Sequence, residues 1–137
     1  MIINYLAVLI AAIAQLVIGF IWYGPIFGNL WGRMHGFDKL SKEVQMQMMK
    51  SMTPFYVLQF FVTIVTTVVL AIFIANQPDW NVYAMAGFFW IGFVVPTQVS
   101  AVIFGGTEGQ WIAKKIAVMA GASLLCLETA AAILKLL

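Results

Sequence analysis

"FYVLQFFVTIVTTVVLAIFIA", residues 55–75, is a run of 21 residues without one charge. A helix that crosses the hydrocarbon core of a bilayer needs about 20 apolar residues. Inside hydrocarbon the backbone must satisfy its own hydrogen bonds, so a lone run of this length reads as a helix. The alternation of apolar and polar residues that a barrel strand requires is absent from it.

The same pattern recurs along the chain. Apolar runs cover about residues 2–23, 55–75, 82–104 and 116–134, and together they predict an all-α integral membrane protein, a four-transmembrane-helix bundle in one membrane domain over 1–137. Composition agrees: 64% of the 137 residues are hydrophobic and only 9% are charged, with a mean hydropathy of +1.00. Soluble domains carry about 25% charged residues. A net charge of +2 is too small to suggest nucleic acid. The one cysteine, Cys126, excludes an internal disulfide and any multi-thiolate metal centre. The N-terminus has no basic side chain ahead of its apolar run, so a signal peptide is not expected.

The connections fit four spans. Thr53-Pro54 resembles a cap followed by proline in the first helical turn. "NQPDWN" at 76–81 ends one helix and offers Asn81 as cap to the next, and "GGTEGQ" at 105–110 is a glycine-rich turn. These short turns predict that spans two, three and four pack as antiparallel neighbours. Arg33, Lys39, Lys42, Lys50, Lys114 and Lys115 fall in the connections 24–54 and 105–115, and only Lys135 falls on the other side. The positive-inside rule then places both basic connections in the cytoplasm and both termini outside. So strong a bias argues against a dual-topology transporter. Trp22, Tyr23, Trp31, Tyr56 and Trp111 mark the basic edge of the membrane, and Tyr5, Trp80 and Tyr83 the opposite edge. Trp90 alone lies deep within a span.

Residues 38–52, "DKLSKEVQMQMMKSM", place Leu40, Val44, Met48 and Met52 at every fourth position. The segment reads as an amphipathic helix on the inner leaflet, its lysines toward anionic lipid. Its methionines suit Cu(I) in softness, but they lie on several faces, and packing against the membrane surface accounts for them. No metal site and no cofactor motif is expected.

Each span carries one long polar side chain: Gln15, Gln59, Gln98 and Glu128. Gln59, Thr63 and Thr66 share one face of the second span, and Pro96, Thr97, Gln98 and Ser100 form the most polar patch of the third. Small residues beside such groups let helices approach and bond across their seam, so these faces should point inward. Pro96 should kink the third span. Counting about 1.5 Å per residue, Gln15, Gln59 and Gln98 lie in the half nearer the basic connections. Glu128 lies in the other half, with Trp90 and Thr67. A carboxyl there costs about 2.5–3.5 kcal/mol on insertion scales unless partnered or neutral. Contacts from Trp90 and from Thr66 or Thr67 to Glu128 are therefore expected, and Glu128 is a candidate ligand, proton or cation site. No Ser/His/Asp set and no phosphate-binding loop is present.

The stretch "WYGPIFGNLW" at 22–31 closes the first span, with Trp22, Tyr23, Pro25, Phe27, Gly28 and Trp31. Together with "WIGFVVPTQVSAVIFGG" at 90–106, which carries Trp90, Gly92, Phe93, Pro96 and Phe104, it resembles the bacterial membrane family called domain of unknown function 1761. The resemblance covers nearly the whole chain. It implies a four-span fold in a bacterial inner membrane and no defined activity. Gly24-Pro25 is expected to break the first helix, and Phe27 and Trp31 to hold the turning chain at the interface.

The sequence favours a non-enzymatic membrane protein that binds a small hydrophobic or amphipathic ligand, or a partner helix, between its spans. A transporter or channel subunit using Glu128 and the glutamine layer is the alternative, and a membrane-embedded enzyme the second alternative. The lipid bilayer and further copies of the chain, as a homo-oligomer, are the expected partners.

Overall fold

The computed structural model describes residues 1–137 and is built from helices alone. Four of its helical stretches are long and apolar enough to span a membrane: Tyr5–Ile26, Thr53–Asn76, Val82–Phe104 and Gly109–Leu136. Span one is α1 (Tyr5–Ile21) continued by a π-helical turn, Trp22–Ile26. Then come the short α2 (Gly28–Met34) and α3 (Lys42–Ser51). Span two is α4 (Thr53–Asn76). Span three is α5 (Val82–Phe89), a second π turn over Trp90–Val94, and α6 (Val95–Phe104). Span four is α7 (Ile112–Leu136), entered through a 3-10 turn at Gly109–Trp111. The termini and the 77–81 turn lie at one end of the bundle, the terminus end. The long connection and the 105–111 turn lie at the other, the basic end.

Caps set several boundaries. Asn4 opens α1, its side-chain carbonyl accepting from the Ala7 N–H at 3.1 Å. Asn81 opens α5, accepting from Tyr83 and Ala84 at 2.9 and 3.2 Å. Ser41 opens α3 in the same way. Thr53 is not a cap: it already lies inside α4, with Met52 alone between it and the end of α3 and with Pro54 in the first turn. Span four starts earlier than its apolar run suggests, because Lys114 and Lys115 are inside the helix and rest over the rings of Trp111 and Trp31. Long cationic chains near a helix end reach back to the interface, so they need not end the helix.

Gly24-Pro25 does not break span one. Proline lacks an N–H and its ring crowds the carbonyl four residues back, which ordinarily ends or kinks an α-helix. Here the turn widens to the π pattern, and Phe27 N–H reaches back five residues to the Trp22 carbonyl at 2.9 Å. Helical structure continues to Ile26. The second π turn precedes Pro96 in the same way, with Val95 N–H donating to the Trp90 carbonyl.

α1 and α7 form the central antiparallel pair; α4 packs on α1, and α5 with α6 packs on α7. The lateral order is two, one, four, three. The central seam is made of alanines: Ala11 and Ala131 have no exposed surface, and Ala130 has almost none. They form one cluster with Leu70, Ala86 and Leu127. Small side chains let backbones approach closely, which favours helix association in lipid. The short 77–81 turn predicts spans two and three as packed neighbours, yet they touch only sparsely. Bulky rings stand between them, including Phe73 and Phe89, whose centroids are 4.8 Å apart.

Only 16 of the 137 residues are buried. Phe61, Val65, Phe88, Phe93 and Phe104 are among the many large apolar side chains turned outward, a surface that suits lipid rather than water. Overfilling the central seam tests this arrangement. Ala131→Leu should cost about 1–3 kcal/mol, read as a lower unfolding midpoint in mixed micelles. The same change at exposed Ala75 should leave the midpoint unmoved.

Candidate functional site

One turn of α7 gathers side chains from two other spans. Trp22 Nε1–H donates to the Val118 carbonyl at 2.9 Å, and Trp90 Nε1–H donates to the Ala120 carbonyl at 2.8 Å. Between them, Gln98 Nε2 approaches the Met119 carbonyl at a longer 3.4 Å. A carbonyl has two lone pairs, so each can take a side-chain donor beside its helical bond. Ser123 Oγ lies 3.0 Å from the Ala120 carbonyl and 3.4 Å from Gln98 Oε1, with one proton to share between them. The ring of Trp22 fits because residue 121 is glycine. A Cβ there would stand 2.8 Å from Trp22 Cζ2. Both π turns begin at these two tryptophans.

A second polar contact joins spans one and two. Gln15 Nε2 donates to Thr67 Oγ1 at 2.8 Å and to the Ala11 carbonyl at 3.2 Å. Thr67 donates onward to the Thr63 carbonyl at 2.7 Å. Gln15 and Thr67 are 8% and 1% exposed, so this pair is sealed from lipid. The Cys126 thiol donates to the Gln15 carbonyl at 3.7 Å, in the weak range expected of sulfur.

The expected cluster around Glu128 does not form. Trp90 has a single N–H and gives it to Ala120, two turns of α7 nearer the basic end. Thr67 serves Gln15 and Thr63, while Thr66 is exposed and bonds back to Val62 within its own helix. Glu128 is half-buried on the seam between spans three and four, beside Gly87, where a Cβ would stand 3.8 Å from Glu128 Oε1. Counting residues along each span gave the depths. Which way the indole reaches depends on the π turn, and depth does not encode that.

The glutamines do not act as one layer. Gln15 and Gln98 are held in helix seams. Gln59 is exposed and bonds to Thr63 Oγ1 on its own helix at 3.3 Å. Gln59 and Thr66 thus do not point into the bundle. Positions 59, 63, 66, 70 and 73 fall on one stripe of α4 at helical spacing. At the terminus end this stripe faces span three: Leu70 shares a cluster with Ala86, and Phe73 meets Phe89. Gln59, Thr63 and Thr66 continue the stripe toward the basic end, where contact between the two spans lapses. On span three, Phe93 looks into the same gap, and Thr97 Oγ1 donates to the Phe93 carbonyl at 2.6 Å. At the terminus end the gap holds a groove of about 250 Å³ lined by Phe73, Gln77, Trp80, Met85, Phe88, Phe89 and Phe93. Sequence reasoning missed this groove; its one signal was the aromatic pair Phe89 and Phe93, four residues apart.

The corner at 22–35 forms an aromatic chain. Trp22 packs on Phe27 at 4.8 Å between centroids, Tyr23 on Trp31 at 4.8 Å, and Trp31 on His35 at 4.6 Å. Lys115 Nζ lies 5.6 Å from the centre of the Trp31 ring, a cation–π distance. Gly28 passes close over the Tyr23 carbonyl, 3.1 Å from where a Cβ would stand. Pro25 and Pro96 have no polar contact of their own; each follows or sits within a π turn.

The family model described as Protein of unknown function (DUF1761) matches residues 6–135, and the chain belongs to that family. No curated protein and no solved structure matches it.

The fit of Trp22 against Gly121 has a measurable consequence. Trp22→Phe removes one hydrogen bond and should cost about 0.5–1.5 kcal/mol. Gly121→Ala should cost about 1–3 kcal/mol by overpacking. In a Trp22→Leu background the Gly121→Ala cost should vanish, because the clashing ring is gone. A double-mutant cycle in denaturant-titrated micelles reads the coupling, and simple additivity would refute the contact.

Proposed function

We propose that this member of the DUF1761 family is a membrane-embedded binding protein that takes one chain-like amphiphile from the bilayer into the seam between spans two and three. One observation carries the reading. The α4 stripe facing that seam is aromatic and apolar at the terminus end and polar at the basic end, and the two helices leave it open. Phe73, Phe89 and Phe93 suit a hydrocarbon tail, and the amide and hydroxyls of Gln59, Thr63, Thr66 and Thr97 suit an uncharged polar head. From Gln59 to Phe73 a helix rises about 21 Å, which sets the length of the ligand. Ligand sites of this kind are mostly apolar with a few placed polar groups.

In this reading the membrane is a bacterial inner membrane. The basic end faces the cytoplasm, since six of seven Lys and Arg side chains lie there, and the termini lie outside. The α3 helix rests on the inner leaflet, and the outward apolar faces carry further copies of the chain. A second reading, a subunit that passes a proton or cation, rests on Glu128, a carboxyl half-exposed within a span beside Gly87.

Native mass spectrometry from lipid discs tests the first reading. The wild type should retain one amphiphile per chain. Phe89→Ala and Gln59→Leu should lose it, and Glu128→Gln should keep it. A bare chain at every step of gentle release would overturn the proposal. Proton or cation flux into proteoliposomes that disappears in Glu128→Gln would favour the second reading instead.

A further inference from the structure

Beyond the ends of spans one and four, the long connection and the 105–111 turn enclose a cleft of about 510 Å³ at the basic end. Its walls are polar: 11 of the 13 lining residues are not hydrophobic. Arg33, Lys39 and Lys115 line it, brought together from the end of α2, the 3-10 turn after it and the first turn of α7. Asp38 and Glu108 line it as well, and Glu108 is engaged by Gln110, whose Nε2 donates to Glu108 Oε2 at 2.8 Å. Three cations thus face two carboxylates.

Thr107 supplies the second, independent observation. It lines this cleft, and its hydroxyl oxygen is buried without a hydrogen-bond partner. A buried polar group left unpaired costs about 1–3 kcal/mol, and native structures rarely keep one without a reason. Thr107 directly follows Gly106, whose φ of 77° is a left-handed turn.

We propose that this cleft binds a phosphoryl group. Phosphate oxygens are acceptors only. They match the planar fork of Arg33 and the ammonium groups of Lys39 and Lys115, and they accept the Thr107 O–H once a small shift of the 105–111 turn uncovers it. A carboxylate would satisfy one such donor pair but leave the rest unmet. The volume exceeds that of a bare phosphate ion, so the group arrives on a larger molecule. Lys115 lies over Trp31, and Trp111 lines the cleft. Aromatic side chains of this kind lie at headgroup level, which makes an anionic phospholipid headgroup one source; a soluble phosphate ester is the other. The cleft is separate from the seam between spans two and three, so either proposal stands without the other.

The test uses the full chain in lipid discs of phosphatidylcholine doped with phosphatidic acid, and in plain phosphatidylcholine discs titrated with glycerol phosphate. Retained phosphatidic acid is read by native mass spectrometry, and glycerol phosphate by phosphorus NMR. Thr107→Val and the pair Arg33→Gln with Lys115→Gln should weaken binding roughly tenfold or more. Lys114→Gln with Lys135→Gln removes the same charge from side chains that do not line the cleft and should leave binding within about twofold if the cleft, rather than net charge, holds the anion. Phosphatidic acid bound but not glycerol phosphate assigns the lipid source, and displacement by glycerol phosphate assigns the soluble one. Equal weakening by both lysine-containing pairs with no effect of Thr107→Val, or no binding of either probe, overturns the proposal. If the Arg33 and Lys115 pair fails to fold, Thr107→Val, which keeps every charge, decides alone.

Discussion

An indole N–H inside hydrocarbon must find an acceptor, and here two of them find it on the same turn of span four. Trp22 from span one and Trp90 from span three donate to the Val118 and Ala120 carbonyls at 2.9 and 2.8 Å. In lipid there is no water to take these protons, so the contacts hold where a surface indole would turn to solvent. They make span four the hub. Gly121 leaves room for the first ring, and the alanine seam between α1 and α7 lets the backbones come near enough for the ring to reach. With spans one and three both held to span four, span two has only span one to lie against along its full length.

That arrangement explains why polar groups of similar appearance end in different places. Gln15 and Thr67 close the seam between spans one and two, and Gln98 and Ser123 sit at the seam between spans three and four. Gln59 and Thr66 belong to the face of span two that would meet span three, and the rings of Phe73 and Phe89 keep that seam ajar. The opening toward the basic end follows from ring volume at the terminus end. The same order leaves Glu128 at an edge beside Gly87, while Thr66 and Thr67 bond within span two.

The two π turns link sequence motif to tertiary contact. Each starts on a tryptophan that bonds span four, and each lies at or just before a proline. Widening by one residue accommodates the proline and shifts the rotational phase of everything after it. Hence Trp22 and Phe27 stack at the corner, and Phe93 looks into the gap. The π turns at Trp22–Ile26 and Trp90–Val94 are parts of one attachment to span four.

Much of the architecture was legible from one dimension. Hydrocarbon forbids unpaired backbone groups, so charge-free runs had to be helices, and their number, rough limits and alternating direction followed. Asn81 was legible as a cap because its chemistry is local. The family resemblance, carried by Trp22, Tyr23, Pro25, Phe27, Gly28 and Trp31, was legible for the same reason. What residue counting could not supply was azimuth. It placed Trp90, Thr67 and Glu128 at one depth, but contact depends on which way each side chain faces, and a single π turn rotates that by most of a quadrant. It also read neighbours from short turns, whereas the volume of side chains in each seam decides which helices close and which stay apart. Local backbone chemistry fixes the helices. The seams, the open face of span two and the cleft holding Thr107 are set by packing between residues far apart in the chain, so only the tertiary structure decided them.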